Sequence, residues 1–302
     1  MERQPFVRRT ELITPAHSLK MMAKAAASEA DEVIFDLEDA VAPRMKEEAR
    51  RALIEALRTL DFQGKVVAYR INGVKTQYAY RDIIEVIEAA GETVDGIVLP
   101  KSEGPEDIFF IDRLLTQIEA AHGIHKPIRL EVLIETAAAL LQATEIARCS
   151  PRMSSLIFGP VDYAASIGAR EIGQEQFLYF HYPRAHLLAA AKAAGLDAIE
   201  GITLDVRDRE RLVADSKRAA AMGFDGKWVI HPDQIGPVND TFSPSKEEIA
   251  RARRIIEAYR KACEEERIGA IMVDDQLVDE AVIKLEERKL LIAKRAGLLN
   301  NT

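Results

Sequence analysis

The strongest constraint on what this chain can fold into is a recurrence of short apolar, β-branched runs separated by stretches with helical spacing. The runs are TELIT (10–14), DEVIFDLE (31–38), KVVAYRIN (65–72), GIVLPK (96–101), IRLEVLIE (128–135), MSSLIFGP (153–160), AIEGITL (198–204) and GKWVIHP (226–232). Between most of them lie amphipathic patterns, of which EEARRALIEALRTL (47–60) and EDIFFIDRLLTQIEAAHG (106–123) are the clearest. Strands apolar along their whole length are buried on both faces, and alternation with helices makes a parallel sheet covered by helices. Eight such units predict an α/β fold of the (β/α)8 TIM-barrel type over residues 1–240, since a doubly wound open sheet more often uses fewer strands.

Two stretches depart from simple alternation. EIGQEQFLYFHYPRAH (171–186) is longer and more aromatic than a plain loop, and helical patterns continue past the eighth run. The intervening IGPVNDTFSPSK (235–246) is rich in turn formers, which predicts a linker followed by a C-terminal helical module over 245–302.

Composition narrows the partners. With 302 residues, 48% of them hydrophobic, the chain can bury a large core, and a formal net charge of −8 argues against nucleic acid or an anionic membrane held by bulk electrostatics. Cys149 and Cys263 are far apart and show no metal-ligand spacing, which fits a reducing cytoplasm. The start, MERQPFVRRTELIT, has no apolar targeting core, and no apolar run is long enough to span a membrane. A small-molecule partner is the expectation, and any phosphate it carries must be met by a local basic group.

In a barrel of this kind chemistry sits at the C-terminal ends of the strands. In order, those ends carry Asp36, Glu38 and Asp39; Arg70 with Asn72; Lys101; Glu135; Asp162; Asp205; and His231. Any single one reads equally well as a solvated loop charge or a helix cap. Several carboxylates on one rim repel one another unless a cation or basic partners neutralise them, and oxygen donors without a His/Cys cluster favour Mg2+ or Mn2+ over zinc. Glu135 and Asp162, at the ends of neighbouring strands, are the expected direct ligands. Asp36, Glu38 and Asp39 are expected around them, orienting metal-bound water and holding basic neighbours. Arg70, in an otherwise apolar strand, reads either as a salt-bridge partner of Asp36 or Glu38 or as a clamp for a carboxylate or developing oxyanion. Lys101 carries the same ambiguity, and nothing beyond its position argues for a Schiff base. Glycine-rich phosphate cradles are missing. Arg8, Arg9, Lys20 and Lys24 form a basic neighbourhood that either meets phosphates or is simply solvated. Trp228 reads as core or ligand wall, and His231 as a ligand contact or a loop residue.

These pieces together resemble the citrate lyase β-subunit-like branch of the HpcH/HpaI aldolase superfamily, which includes malyl-CoA and citramalyl-CoA lyases. The resemblance is carried by RTELITP with KA at 24–25, VIFDLEDAVAPRMKEEAR, YRIN, IVLPK, LIET, FGPVDYAASIG, GFDGKWVIHPDQI and LVD at 277–279, in family order. It implies a (β/α)8 barrel with a C-terminal extension and Mg2+ on Glu135 and Asp162. It places Arg70 on the substrate oxygen and coenzyme A along Lys20, Lys24, Trp228, Ile230 and His231. It further implies that the C-terminal module covers a neighbouring subunit's active site in a trimer or hexamer, delivering Asp279 for proton transfer.

The activity implied is Claisen-type cleavage of malyl-CoA, β-methylmalyl-CoA or citramalyl-CoA to an acyl-CoA and an α-keto acid, glyoxylate or pyruvate, with Asp36 and Glu38 in the catalytic group. Alternatives are a malyl-CoA thioesterase, the citryl-ACP lyase subunit of citrate lyase, and a non-catalytic CoA-binding barrel.

Overall fold

The computed structural model describes residues 6–172, 176–266 and 269–299; part of the 171–186 stretch and both chain ends lie outside them. Eight parallel strands close into a barrel in sequence order: β1 (Thr10–Pro15), β2 (Glu32–Asp36), β3 (Val66–Arg70), β4 (Gly96–Leu99), β5 (Arg129–Ile134), β6 (Met153–Phe158), β7 (Asp197–Glu200) and β8 (Gly226–Val229). Every predicted run coincides with one of them, β1 passing the end of its run by one residue and β7 starting one residue before its own. From β2 onward each run extends past its strand, because the polar residues that close it belong to the loop, which begins once the ladder stops.

The principal crossovers are α1 (Leu19–Ala26), α2 (Lys46–Thr59), α3 (Ala79–Ala90), α4 (Pro105–His122), the short pair α5 (Ala137–Leu141) and α6 (Ala143–Arg148), α7 (Pro160–Ser166), α8 (Gln176–Tyr179), α9 (His181–Ala193) and α10 (Arg209–Met222). Much of what reads as a long aromatic loop after β6 is thus helical. Residues 181–186 form the first turns of α9, where Pro183 needs no intrahelical N–H partner. Among the described residues no helix is long and apolar enough to cross a membrane, and both cysteines are free.

Side chains alternate across a strand, so positions i, i+2 and i+4 share a face. One residue from each of β2 to β8 forms the middle of the barrel interior, Ile34, Ala68, Val98, Leu133, Ile157, Ile199 and Trp228, with Ile13 of β1 packed against them. Stepping two residues towards the C-terminal strand ends from Ile34, Ala68 and Leu133 gives Asp36, Arg70 and Glu135. Stepping two residues the other way from Ile13, Ile34 and Leu133 gives Glu11, Glu32 and Glu131. The interior is therefore three layers, an apolar one between two charged ones.

The chain divides into two compact units, Arg8–Asn239 and a second made of residues 240–299 with 6 and 7. The stretch read as a linker is mostly α11 (Ile235–Phe242), since Gly236 and Pro237 sit in its first turn, where proline is tolerated. α12 (Lys246–Lys261) follows, opened by a capping box between Ser245 and Glu248.

The C-terminal region is helical, as the sequence reading expects, with one element that reading does not include. An antiparallel hairpin, β9 (Ala270–Val273) and β10 (Gln276–Asp279), precedes α13 (Glu280–Arg295). Asp274 and Asp275 occupy its two-residue turn at φ 50° and 60°, the left-handed pair that such a turn requires and that Asp tolerates. Ile255, Ile256, Val278 and Ile283 make this unit's core.

Candidate active site

At the C-terminal ends of the strands a cavity of about 420 Å3 opens, bounded by Asp36, Asp39, Arg70, Glu135 and Asp162. Its apolar walls include Ile13, Leu133, Ile202, Trp228 and Ile230, so the charges stand above the apolar layer of the barrel.

Arg70 and Asp36 are direct partners in the β2–β3 register. The guanidinium donates from Nε to Oδ1 and from Nη2 to Oδ2 of Asp36, both at 2.7 Å, and its Nη1 lies 3.0 Å from Glu38 Oε2. Both readings of Arg70 are thus compatible: it is ion-paired with the two carboxylates named and still lines the cavity. Burial disfavours its charge, but Asp36 and Glu38 outweigh that and hold it firmly cationic. Its guanidinium carbon also lies 5.7 Å from the centre of the Trp228 ring.

Asp36 is only 1% exposed, yet it accepts two further bonds, from the backbone N–H groups of Glu38 and Ala40 at 2.8 and 3.1 Å. Burial opposes its ionisation, but Arg70 and these N–H donors win and hold it below the usual carboxylate range. Two of the three carboxylates at the end of β2 therefore fix the guanidinium. Glu38 is pushed up by burial against the pull of Arg70, and Lys101 Nζ lies 2.5 Å from its Oε1. Asp39 is exposed and bonds Lys101 Nζ at 3.1 and 3.2 Å.

Glu135 follows β5 directly and is 2% exposed. It does not cap a helix; Thr136 takes that role for α5. Its Oε1 accepts the Lys101 N–H at 2.6 Å. Burial first, and the nearby Asp162 second, push its pKa up to about 8. Asp162, in the first turn of α7, makes no side-chain cap bond and lines the same cavity, so the capping alternative fails for both carboxylates. Two hard oxygen donors just past the ends of paired strands, with the Asp162 charge disfavouring that of Glu135, fit a divalent cation such as Mg2+.

Trp228 is buried among the barrel's central residues and donates Nε1–H to Glu11 at 2.6 Å while facing the cavity. Ile230 lines the cavity, and His231 opens a short 3-10 turn by accepting the Asp233 N–H. Lys20 and Lys24 are exposed on α1, whose preceding strand β1 pairs with β8. Asp279, in the other unit, caps α13 by accepting the N–H groups of Ala281 and Val282.

Two features were not anticipated from sequence. One is Gly159, where an added Cβ would lie 2.5 Å from Glu135 Cβ; only glycine leaves that carboxylate room. The other is the far charged layer, in which Glu11, Glu32 and Glu131 bring oxygens within 4.8 Å of one another. Arg8 lies 2.9 Å from both Glu32 and Glu131 and neutralises part of this charge. Burial first, and the Glu131 charge second, push Glu11 and Glu32 well above the usual carboxylate range. The period-two steps Glu11–Ile13, Glu32–Ile34–Asp36 and Glu131–Leu133–Glu135 were the signal for this layer.

A parallel barrel with paired carboxylates, a fixed guanidinium and an apolar floor at its C-terminal rim defines an enzyme site. Residues 9–232 match the HpcH/HpaI aldolase/citrate lyase family. The chain belongs to this family and is a carbon–carbon lyase. It is 37% identical to an L-malyl-CoA/β-methylmalyl-CoA lyase of Cereibacter sphaeroides, over 97% of this chain and 95% of that one. It is 32% identical to a citrate lyase subunit beta of Leuconostoc mesenteroides, over 98% and 96%. Among solved structures, CitE from Mycobacterium tuberculosis in complex with magnesium, acetoacetate and coenzyme A matches with a TM-score of 0.77 and 31% identity, covering 96% of this chain and 98% of that one.

Proposed function

We propose that this chain cleaves a 3-hydroxyacyl-CoA reversibly, with malyl-CoA, β-methylmalyl-CoA or citramalyl-CoA as substrate and an acyl-CoA plus glyoxylate or pyruvate as products. The observation that carries the reading is that Glu135 and Asp162 line one cavity with a guanidinium already fixed by Asp36 and Glu38. Glu135 and Asp162 would hold Mg2+, with Mn2+ sharing the same donor preference. When bound, the ion supplies Lewis-acid polarisation of the keto-acid oxygen.

Arg70 offers a positive charge to the oxygen that alternates between alkoxide and carbonyl. Because Asp36 and Glu38 hold the guanidinium beforehand, little reorganisation is needed as charge develops. The apolar floor of Ile13, Leu133 and Ile202 keeps water from the enolate that forms when the carbon–carbon bond breaks. Asp279 returns a proton to that enolate in cleavage and removes one from the acyl methyl in condensation.

Asp279 lies in the C-terminal unit, and the reading has that unit cover the active site of a second copy in a homo-oligomer, a trimer or hexamer. Coenzyme A is assigned to the sector between α1 and the end of β8, with Lys20 and Lys24 meeting phosphates and Trp228, Ile230 and His231 forming the wall. The pairing of β1 with β8 supports that sector, because it makes the two loops neighbours on the rim. The magnesium and coenzyme A carried by the M. tuberculosis neighbour support the choice of these two ligands.

The test couples malyl-CoA and citramalyl-CoA cleavage to lactate dehydrogenase with Mg2+ or with EDTA. Keto acid formed only with the metal is expected, abolished by Glu135→Ala; free acid and CoA without keto acid would establish a thioesterase instead. Asp279→Asn should stop hydrogen exchange of acetyl-CoA while CoA esters still bind, and retained exchange would remove Asp279 from the mechanism.

A further inference from the structure

Lys101 stands at the junction of the two halves of this site, and its backbone is the unusual part. It follows β4 and Pro100 at φ 52°, in the left-handed region that favours glycine and is costly for a lysine. Such conformations persist only where the surroundings over-determine them. Here the surroundings are specific. The Lys101 N–H reaches Glu135 Oε1 at 2.6 Å, while Nζ, on the other side of the same residue, bridges Glu38 Oε1 at 2.5 Å and Asp39 Oδ1 at 3.1 Å. Glu38 in turn holds Arg70. One residue therefore touches the carboxylate assigned to the metal through its main chain and the guanidinium's support through its side chain.

We propose that Lys101 is a positioning residue for the lyase reaction, its left-handed backbone aiming an N–H that orients Glu135 for the metal while its ammonium steadies Glu38 behind Arg70. The proposal rests on the metal assignment made above. The ammonium is not a nucleophile in this arrangement, because Glu38 and Asp39 outweigh burial and hold it firmly protonated. The two functions reside in separable groups, which makes the idea open to test. A carboxylate whose free lone pair must meet a cation loses affinity when the donor that aligns it is removed, commonly about 10–100-fold for an outer partner of a metal ligand.

Three substitutions separate the parts. Lys101→Gly keeps the N–H and relaxes the backbone but deletes the ammonium. Lys101→Met keeps the stem and deletes only the charge. Lys101→Val favours negative φ and swings the N–H away from Glu135. Mg2+ affinity is measured by calorimetry on the full-length protein, beside Glu135→Ala, and kcat and KM are measured at saturating Mg2+. Urea midpoints report whether each variant is folded.

Gly and Met should bind Mg2+ within about threefold of the parent, the small change left when the aligning N–H stays, and lose kcat rather than KM. Val should weaken Mg2+ about tenfold or more while remaining folded. Equal Mg2+ affinity in Val and Gly would overturn the backbone role, and parental kcat in Met would overturn the side-chain role. If the parent binds Mg2+ and Glu135→Ala does not, either failure belongs to Lys101 alone. A folded parent that binds no Mg2+ would overturn the metal reading and this inference together.

Discussion

Gly159→Ala adds a single methyl group against Glu135. The Cβ would lie 2.5 Å from Glu135 Cβ and 3.0 Å from its Oε2. Carbon atoms in contact prefer about 3.5–4.0 Å, so either the β6 end or the Glu135 side chain must retreat by about 1 Å. Gly159 has φ −99°, a value alanine adopts without strain, so the backbone contributes little and the clash acts alone. Overpacking of this kind costs about 1–3 kcal/mol of stability. A misplacement of about 1 Å in a positioned catalytic group costs on the order of 10²-fold in rate.

Urea unfolding reads the first quantity, and coupled lyase turnover with Mg2+ calorimetry reads the second. Gly236→Ala is the control, because beyond its chain neighbours and its own helix backbone no atom lies within 4 Å of the added Cβ, and it sits in α11. It should gain about 0.4–1 kcal/mol and keep parental kinetics. A Gly159→Ala protein with parental Mg2+ affinity and turnover would refute the reasoning, since it would show that Glu135 needs no such clearance.

Other outcomes follow from the charged layers. Asp36→Asn breaks a buried bidentate pair and leaves Arg70 with Glu38; stability should fall by about 3–5 kcal/mol in urea, and a fall below about 1 kcal/mol would show that water already reaches the guanidinium. Asp36→Ala should weaken Mg2+ only partly, whereas Glu135→Ala should abolish calorimetric binding. Glu32 has its pKa raised by burial and Glu131, so its contribution is full below the unfolded value and is lost as pH rises towards the folded one. Glu32→Gln cannot lose a proton, so its Tm relative to the parent should climb between pH 5 and pH 8; a difference constant with pH would mean Glu32 ionises normally.

How much of this was legible follows from which forces are local. The eight apolar runs were legible because burial on both faces leaves no polar alternation, and the barrel followed from their number and their helices. The rim residues were legible because a charge ending an apolar run is conspicuous. The hairpin was hidden because VDDQLVD is short, and its turn depends on two consecutive left-handed residues that Asp-Asp supplies only moderately well. The helix in IGPVNDTFSPSK was hidden because glycine and proline, read as breakers, fall in its first turn.

By itself the sequence determined the strands, their inward-facing positions and hence a stack of charge, apolar matter and charge, because side-chain alternation is a property of the extended chain alone. Only the closed tertiary structure decided which of those charges meet. The β2–β3 register sets Asp36 directly beside Arg70, the left-handed Lys101 carries its N–H to Glu135, and Arg8 enters the far layer to neutralise Glu32 and Glu131. These are contacts between residues distant along the chain, and a favourable charge pair exists only when barrel closure brings both members together.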